Sequence, residues 1–126
     1  MRTQGEIEAA VSDGITRFMQ EFMGRGPKDI RTHLIGDLLL VRLQGILSAA
    51  ETSLATVLPA ERGRDLLKSV RTHLVENSRD RLQDMIESAS EMTCASMHHD
   101  VSTVTGEEMF VFTLREAPLV RTAKGK

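Results

Sequence analysis

Cys94, His98, His99 and Asp100 form the densest grouping of metal-ligating side chains in the sequence. A catalytic zinc site needs three protein ligands converging on one point. On a strand, alternate residues share a face, so His98 and Asp100 would lie together while His99 turned away with Met97. Cys94 would have to reach in from the strand's entrance, and His33 or His73 would have to come from another element. The plainer reading is an ordinary strand with a small buried thiol. The expectation is therefore no metal, with Cys94, His98 and Asp100 as the alternative set for a metal-dependent enzyme or metal sensor.

A second chemistry is carried by the turn Gly24-Arg25-Gly26-Pro27-Lys28-Asp29. Arg25, Gly26 and Lys28 could offer backbone N–H groups and positive charge to a small anion such as phosphate, a nucleotide tail or bicarbonate. The Gly spacing and Lys-Ser/Thr pair of a Walker loop are missing. Arg71 joins this candidate anion set: it lies beside Val70 in an amphipathic stretch, where its stem can pack while the guanidinium reaches an anion or a carboxylate. Glu51 is the natural carboxylate partner. The plainer readings are a solvated turn and a structural ion pair. No Ser-His-Asp order, nucleophile elbow or HExxH helix is present. No catalytic residue and no cofactor is assigned, and the chain leans away from an enzyme.

The elements that must position these residues can be read in order. Thr3 and Glu6 have capping-box spacing, and Ile7, Val11, Ile15, Phe18 and Phe22 follow at helical intervals up to a stop at Gly24. Ile30 to Ile35 and Leu38 to Gln44 read as two strands joined by the two-residue loop Gly36-Asp37. Ser48 and Glu51 repeat the capping-box spacing ahead of a short helix from Ala49 to Val57, ended by Pro59. One long helix is expected from Ala60 to Thr93, with Leu67, Val70, Leu74, Leu82, Met85, Ala89 and Met92 as its apolar stripe. Ala95 to Thr103 and Glu108 to Arg115 form a second hairpin about a turn containing Gly106. The two halves echo each other as helix, strand, turn, strand. The predicted fold is α+β: a four-stranded antiparallel sheet from two helix-plus-hairpin units, packed on two long helices with a short inserted helix. Residues 1–116 form one domain and 117–126 a mobile tail.

The strands themselves carry the strongest functional hint. Leu39, Val41 and Leu43 point one way and Leu38 and Leu40 the other, while Phe110, Phe112 and Leu114 oppose Met109 and Val111. A sheet with one wet face alternates apolar with polar, and these strands do not. Two long helices cover one side and the short helix is too small for the other. Exposed apolar surface forgoes about 25 cal/mol per Å² and invites aggregation, so a homodimer or another protein partner is expected. The methionines, among them Met19, Met23, Met85, Met92, Met97 and Met109, suit adaptable core or interface packing.

Composition excludes other classes. With 16 basic and 18 acidic residues interspersed, no clustered positive surface for nucleic acid is evident, and without Trp or Tyr stacking platforms are scarce. The single cysteine cannot form an internal disulfide, and the N-terminus lacks the apolar core of a signal peptide, so the chain reads as cytoplasmic. Leu34 to Val41 is broken by Gly36-Asp37 and is far short of the ~20 residues of a membrane span. A membrane-surface role for the first helix or for Arg121, Lys124 and Lys126 is a third reading.

These residues resemble a small bacterial family, the MpsC-like domain, named after a component of a sodium-translocating, membrane-potential-generating system. The resemblance runs from about Gly5 to Arg115. It rests on the amphipathic start, the Gly24-Arg25-Gly26-Pro27 turn, Gly36-Asp37 with Leu39-Val41-Leu43, the Ser48 to Glu51 helix start, Arg71, and Thr105-Gly106 with Phe110-Val111-Phe112. It implies a small soluble domain linked to transport systems for cations or inorganic carbon, with a transport-system protein as a partner and no established catalytic residue. The functional expectation is a non-enzymatic accessory or regulatory domain acting through dimerisation and protein contact, sensing a small anion.

Overall fold

The first helix, α1 (Gln4–Phe22), begins where the sequence requires it. Thr3 Oγ1 accepts from the Glu6 N–H at 3.1 Å and Glu6 Oε1 accepts from the Thr3 N–H at 2.8 Å, so two backbone donors at the helix start are satisfied reciprocally. Ile7, Val11, Ile15, Phe18 and Met19 form its buried face, while Phe22 is exposed. The structure, a computed structural model, describes residues 1–56 and 60–121.

Strands β1 (Asp29–Ile35) and β2 (Leu38–Gln44) pair antiparallel about Gly36-Asp37. Gly36 takes φ +62°, a left-handed conformation that a tight hairpin needs and that favours glycine. The short helix α2 (Ala49–Thr56) starts with the second capping box: the Ser48 N–H donates to Glu51 Oε1 at 2.9 Å and the Glu51 N–H to Ser48 Oγ at 3.1 Å. Val57 and Pro59, expected to finish it, lie outside the described residues.

The expected single helix from Ala60 to Thr93 is two helices, α3 (Ala60–Asn77) and α4 (Arg79–Ser90), broken at Ser78. Asn77 and Ser78 are weak helix formers whose side chains compete for backbone hydrogen bonds. The expected stripe is also out of phase on α3. Its inward line is Leu67, Arg71 and Val75, whereas Val70 and Leu74 are 48% and 37% exposed. An arginine occupies the middle of the buried line, so a count of apolar residues alone slips by one position. On α4, Leu82, Ile86 and Ala89 are buried, with Met85 packed at the margin.

The second hairpin is β3 (Cys94–Ser102) and β4 (Glu107–Leu114), within a residue of its expected bounds at each end. The sheet is antiparallel throughout in the order β1-β2-β4-β3, placing the second strand of each helix-plus-hairpin unit at the centre. α1 packs beside β1, and α3 and α4 beside β3. Thr32, Leu34, Leu39, Val41, Leu43, Met97, Val101, Glu108, Phe110, Phe112 and Leu114 are buried on the helix-covered face. The edge of β1 is closed by α1: Gln4 Nε2 donates to the Leu34 carbonyl at 3.2 Å, and the Leu34 N–H to Glu8 Oε2 at 2.8 Å. These two bonds occupy the outward backbone groups of Leu34 and so hinder strand addition at that position of the edge.

Part of the segment expected as a mobile tail is held. The Arg121 N–H donates to the Arg2 carbonyl, and its guanidinium reaches the Met1 carbonyl at 3.1 Å and Glu6 at 3.0 Å. Lys124 and Lys126 lie outside the described residues. The phase of α3 is directly testable. Leu67→Ala should cost about 2–5 kcal/mol of unfolding free energy, and Val70→Ala no more than about 1 kcal/mol. Urea denaturation compares them, and equal losses would contradict the observed orientation.

Candidate functional site

Four elements converge on one buried charge cluster. Glu108 enters from β4, in phase with Phe110 and Phe112, and is fully buried; Arg71 enters from α3 and is 2% exposed. Arg71 Nη2 donates to Glu108 Oε1 at 3.1 Å, and Nη1 donates to Glu51 Oε2 at 2.6 Å. His99, from β3, hydrogen-bonds through Nε2 to the other Glu108 oxygen, and its ring packs on Phe110 at a centroid distance of 4.8 Å. Glu51 thus caps α2 with one carboxylate oxygen and binds Arg71 with the other.

The cluster places opposite charges where desolvation makes each costly unless paired. Two of its buried nitrogens, Arg71 Nε and His99 Nδ1, find no hydrogen-bond partner among the described residues. The arrangement can clamp α2 and α3 onto the β3–β4 hairpin. A carboxylate beside an imidazole can also exchange a proton, but general acid–base work requires reach to a substrate. The clefts nearby are lined by other residues: one by Lys68, Asp100, Val101, Ser102, Glu107 and Met109, the other by Lys28, α2 and the β3–β4 turn.

The anion candidates are divided between two places. Arg25 spends its guanidinium on two carbonyls, donating to Leu47 at 3.1 Å and Gly45 at 3.3 Å, which clamps the exit of β2. Gly26 sits beside Gln20 and Thr16. Lys28 lines a cleft of about 290 Å³ with Thr52, Thr56, Thr103 and Thr105. Arg71 is not among them; it has the Glu51 partner that its sequence position suggested, plus Glu108.

The alternative metal set is not brought together either. Cys94 is buried on the helix side, its thiol donating to the Ser96 carbonyl at 3.4 Å, while His98 and Asp100 are exposed on the opposite face of the sheet. Among the described residues, no three His, Cys, Asp or Glu side chains converge as a metal site. Burial, then the Glu87 carboxylate, push the Cys94 thiol above its ordinary value. The hydrogen bond from Lys68, then the Val101 N–H, hold the Asp100 carboxyl below its own.

Sequence reasoning missed Glu108 and His99 as members of the cluster. The signal was present: Glu108 occupies an inward position of a strand whose next inward residues are Phe110, Phe112 and Leu114. A charge at such a position demands a partner of opposite sign.

The opposite face of the sheet is uncovered by any described helix. Cross-strand pairing arranges it in rows: Ile35, Leu38, Thr113 and Ser96; then His33, Leu40, Val111 and His98; then Arg31, Arg42, Met109 and Asp100. Leu38, Leu40, Met109 and Val111 are half-buried by their neighbours, and Ile35 is exposed.

An α+β domain with a four-stranded antiparallel sheet, one face bare of described helices, and an internal ion cluster is the class these observations define. The family model for the Na+-translocating membrane potential-generating system (MpsC) matches residues 3–116, and the chain belongs to that family. It is 34% identical over 113 residues to the uncharacterized protein YbcI of Bacillus subtilis (strain 168), covering 90% of this chain and 89% of that protein. No solved structure matches. Among the described residues no helix is long and apolar enough to cross a membrane.

Two outcomes test the site. Glu108→Ala leaves Arg71 with a buried, half-paired charge and should lower stability by about 3–5 kcal/mol; chemical denaturation measures it, and a loss below about 1 kcal/mol would contradict the clamp. For Cys94, the raised value means the folded state keeps the proton longer than the unfolded chain. Its contribution is therefore complete below the ordinary value of 9.0 and is lost as pH rises through the folded value. Cys94→Ala should flatten that alkaline fall in Tm, and an identical fall in the variant would exclude Cys94 as its source.

Proposed function

We propose that this chain is a non-enzymatic accessory or regulatory domain that acts in the cytoplasm through protein contact, as a homodimer, for a membrane system that moves ions. The observation that carries this reading is the bare sheet face. Its centre, Leu38, Leu40, Met109 and Val111, is apolar and lies on the side away from every described helix. At about 25 cal/mol per Å², covering such a face is a strong drive to associate. Capping of the β1 edge by Gln4 and Glu8 directs association to the face instead of to that strand's backbone.

The link to ion movement rests on the family's description, which names a Na+-translocating system. The resemblance extends this to transport of cations or inorganic carbon. With no described helix able to cross a bilayer, a role in such a system calls for a membrane-embedded protein partner. The buried cluster supports a binding module over an enzyme, since Glu108 is engaged by Arg71 and by His99 Nε2, and Glu51 by Arg71 and the Ser48 N–H.

Sedimentation velocity at low micromolar concentration tests the assembly. A dimer is expected for the wild type, and a shift to monomer with retained circular dichroism for Leu40→Asp and for Val111→Asp. A wild-type chain that sediments as a folded monomer would overturn the reading.

A further inference from the structure

The bare face is self-complementary in charge in only one of its simple two-fold arrangements. Its basic groups, Arg31 and Arg42, lie on β1 and β2, with Asp29 at the start of β1 beside Arg31; its other acids, Asp100 and Glu107, lie on β3 and β4, and Glu107 accepts from Arg42 Nε at 2.6 Å within the same chain. We infer that two copies pack face to face about a two-fold axis running along the strands, between β2 and β4. This inference rests on the homodimer proposed above and adds its geometry.

Such an axis preserves each cross-strand row while exchanging its ends. β1 then lies over β3 of the second copy and β2 over β4. Arg31 meets the partner subunit's Asp100, Leu40 meets the partner subunit's Val111, and His33 meets the partner subunit's His98. Gln44 meets the partner subunit's Glu107. Stacked sheets about 10 Å apart, with strands within about 30° of alignment, accommodate these meetings. An isologous interface repeats every such contact twice.

Arg31 and Asp100 are free to meet. Arg31 pairs with Asp29 at 3.4 Å, and Asp100 with Lys68 at 2.9 Å while also accepting from the Val101 N–H at 2.9 Å; both ion pairs are exposed. Exposed pairs of this kind contribute little, so reorganising them costs little. In the dimer the four groups form a line of alternating sign, Asp29, Arg31, then the partner subunit's Asp100 and the partner subunit's Lys68, at both ends of the interface. Facing charges of opposite sign set the register and disfavour competing alignments.

The competing two-fold crosses the strands at the His33–His98 row. It places each strand over its own copy, setting Arg31 over the partner subunit's Ile35 and Arg42 over the partner subunit's Leu38. Both arginines of each copy would then be desolvated against aliphatic side chains with no acid opposite, whereas the axis along the strands sets only Arg42, paired with Glu107 of its own chain at 2.6 Å, over an apolar group, the partner subunit's Met109. A crossing axis at the arginine row is worse, because Arg31 and Arg42 would face themselves.

Charge exchange distinguishes these arrangements. Arg31→Glu and Asp100→Arg should each weaken the dimer about tenfold or more in dissociation constant, as facing charges of like sign do. The double variant Arg31→Glu/Asp100→Arg should return to within a few-fold of the wild type, measured by sedimentation equilibrium. A dimeric wild type whose double variant is no tighter than the weaker single variant would overturn the axis and leave the homodimer standing. A monomeric wild type would overturn both. The two side chains are exposed, so the variants are expected to fold, and circular dichroism establishes that each comparison is between folded chains.

Discussion

Four strands with apolar residues on both faces need two covers, and the helices of one chain supply only one. α1 lies beside β1 while α3 and α4 lie beside β3, all on the side of Leu39, Val41, Phe110 and Phe112. The homodimer proposed above rests on that imbalance. Burial of the covered face drives folding, and the proposed homodimer draws on the same physics at the uncovered face. In that proposal Arg31 on the β1 edge and Asp100 on the β3 edge set the alignment, because a featureless apolar patch would accept many.

The covered face contains its own exception to apolar packing. Glu108 and Arg71 take positions that periodicity alone would give to leucine or valine. Their pairing, extended to Glu51 and His99, binds four elements that are distant in sequence. Replacing a whole buried ion cluster by aliphatic residues is often neutral or stabilising, so the cluster is better understood as a device for specifying how α2 and α3 sit than as a source of stability. Gly63 contributes to the same placement. A Cβ there would lie 1.9 Å from the Leu54 carbonyl oxygen, so only glycine lets α3 approach α2 this closely. That approach brings Glu51 within reach of Arg71.

The MpsC family name refers to a system that moves ions, and this chain carries no described helix that could do so itself. A packed interior with an internal ion cluster and one uncovered sheet face are the features on which the proposed assembling or regulating role rests. The division of the basic turn points the same way. Arg25 stabilises the β2 exit through two carbonyls, leaving Lys28 as the cation of that turn that lines a cleft.

Local chemistry was legible in the sequence. Both capping boxes, the Gly36-Asp37 hairpin, the strand bounds and the side on which His98 and Asp100 lie all follow from contacts within a few residues, where spacing and side-chain type determine geometry. The Arg71–Glu51 pair was also foreseeable, because a half-buried guanidinium needs a carboxylate. What only the tertiary structure decided is the content of the interior. The break at Ser78, the inward turn of Arg71 in place of Val70, and the meeting of Glu108 with His99 depend on groups brought together from α2, α3, β3 and β4. A pattern of apolar residues cannot register a buried charge, because the partner that makes its burial tolerable lies 37 residues away along the chain.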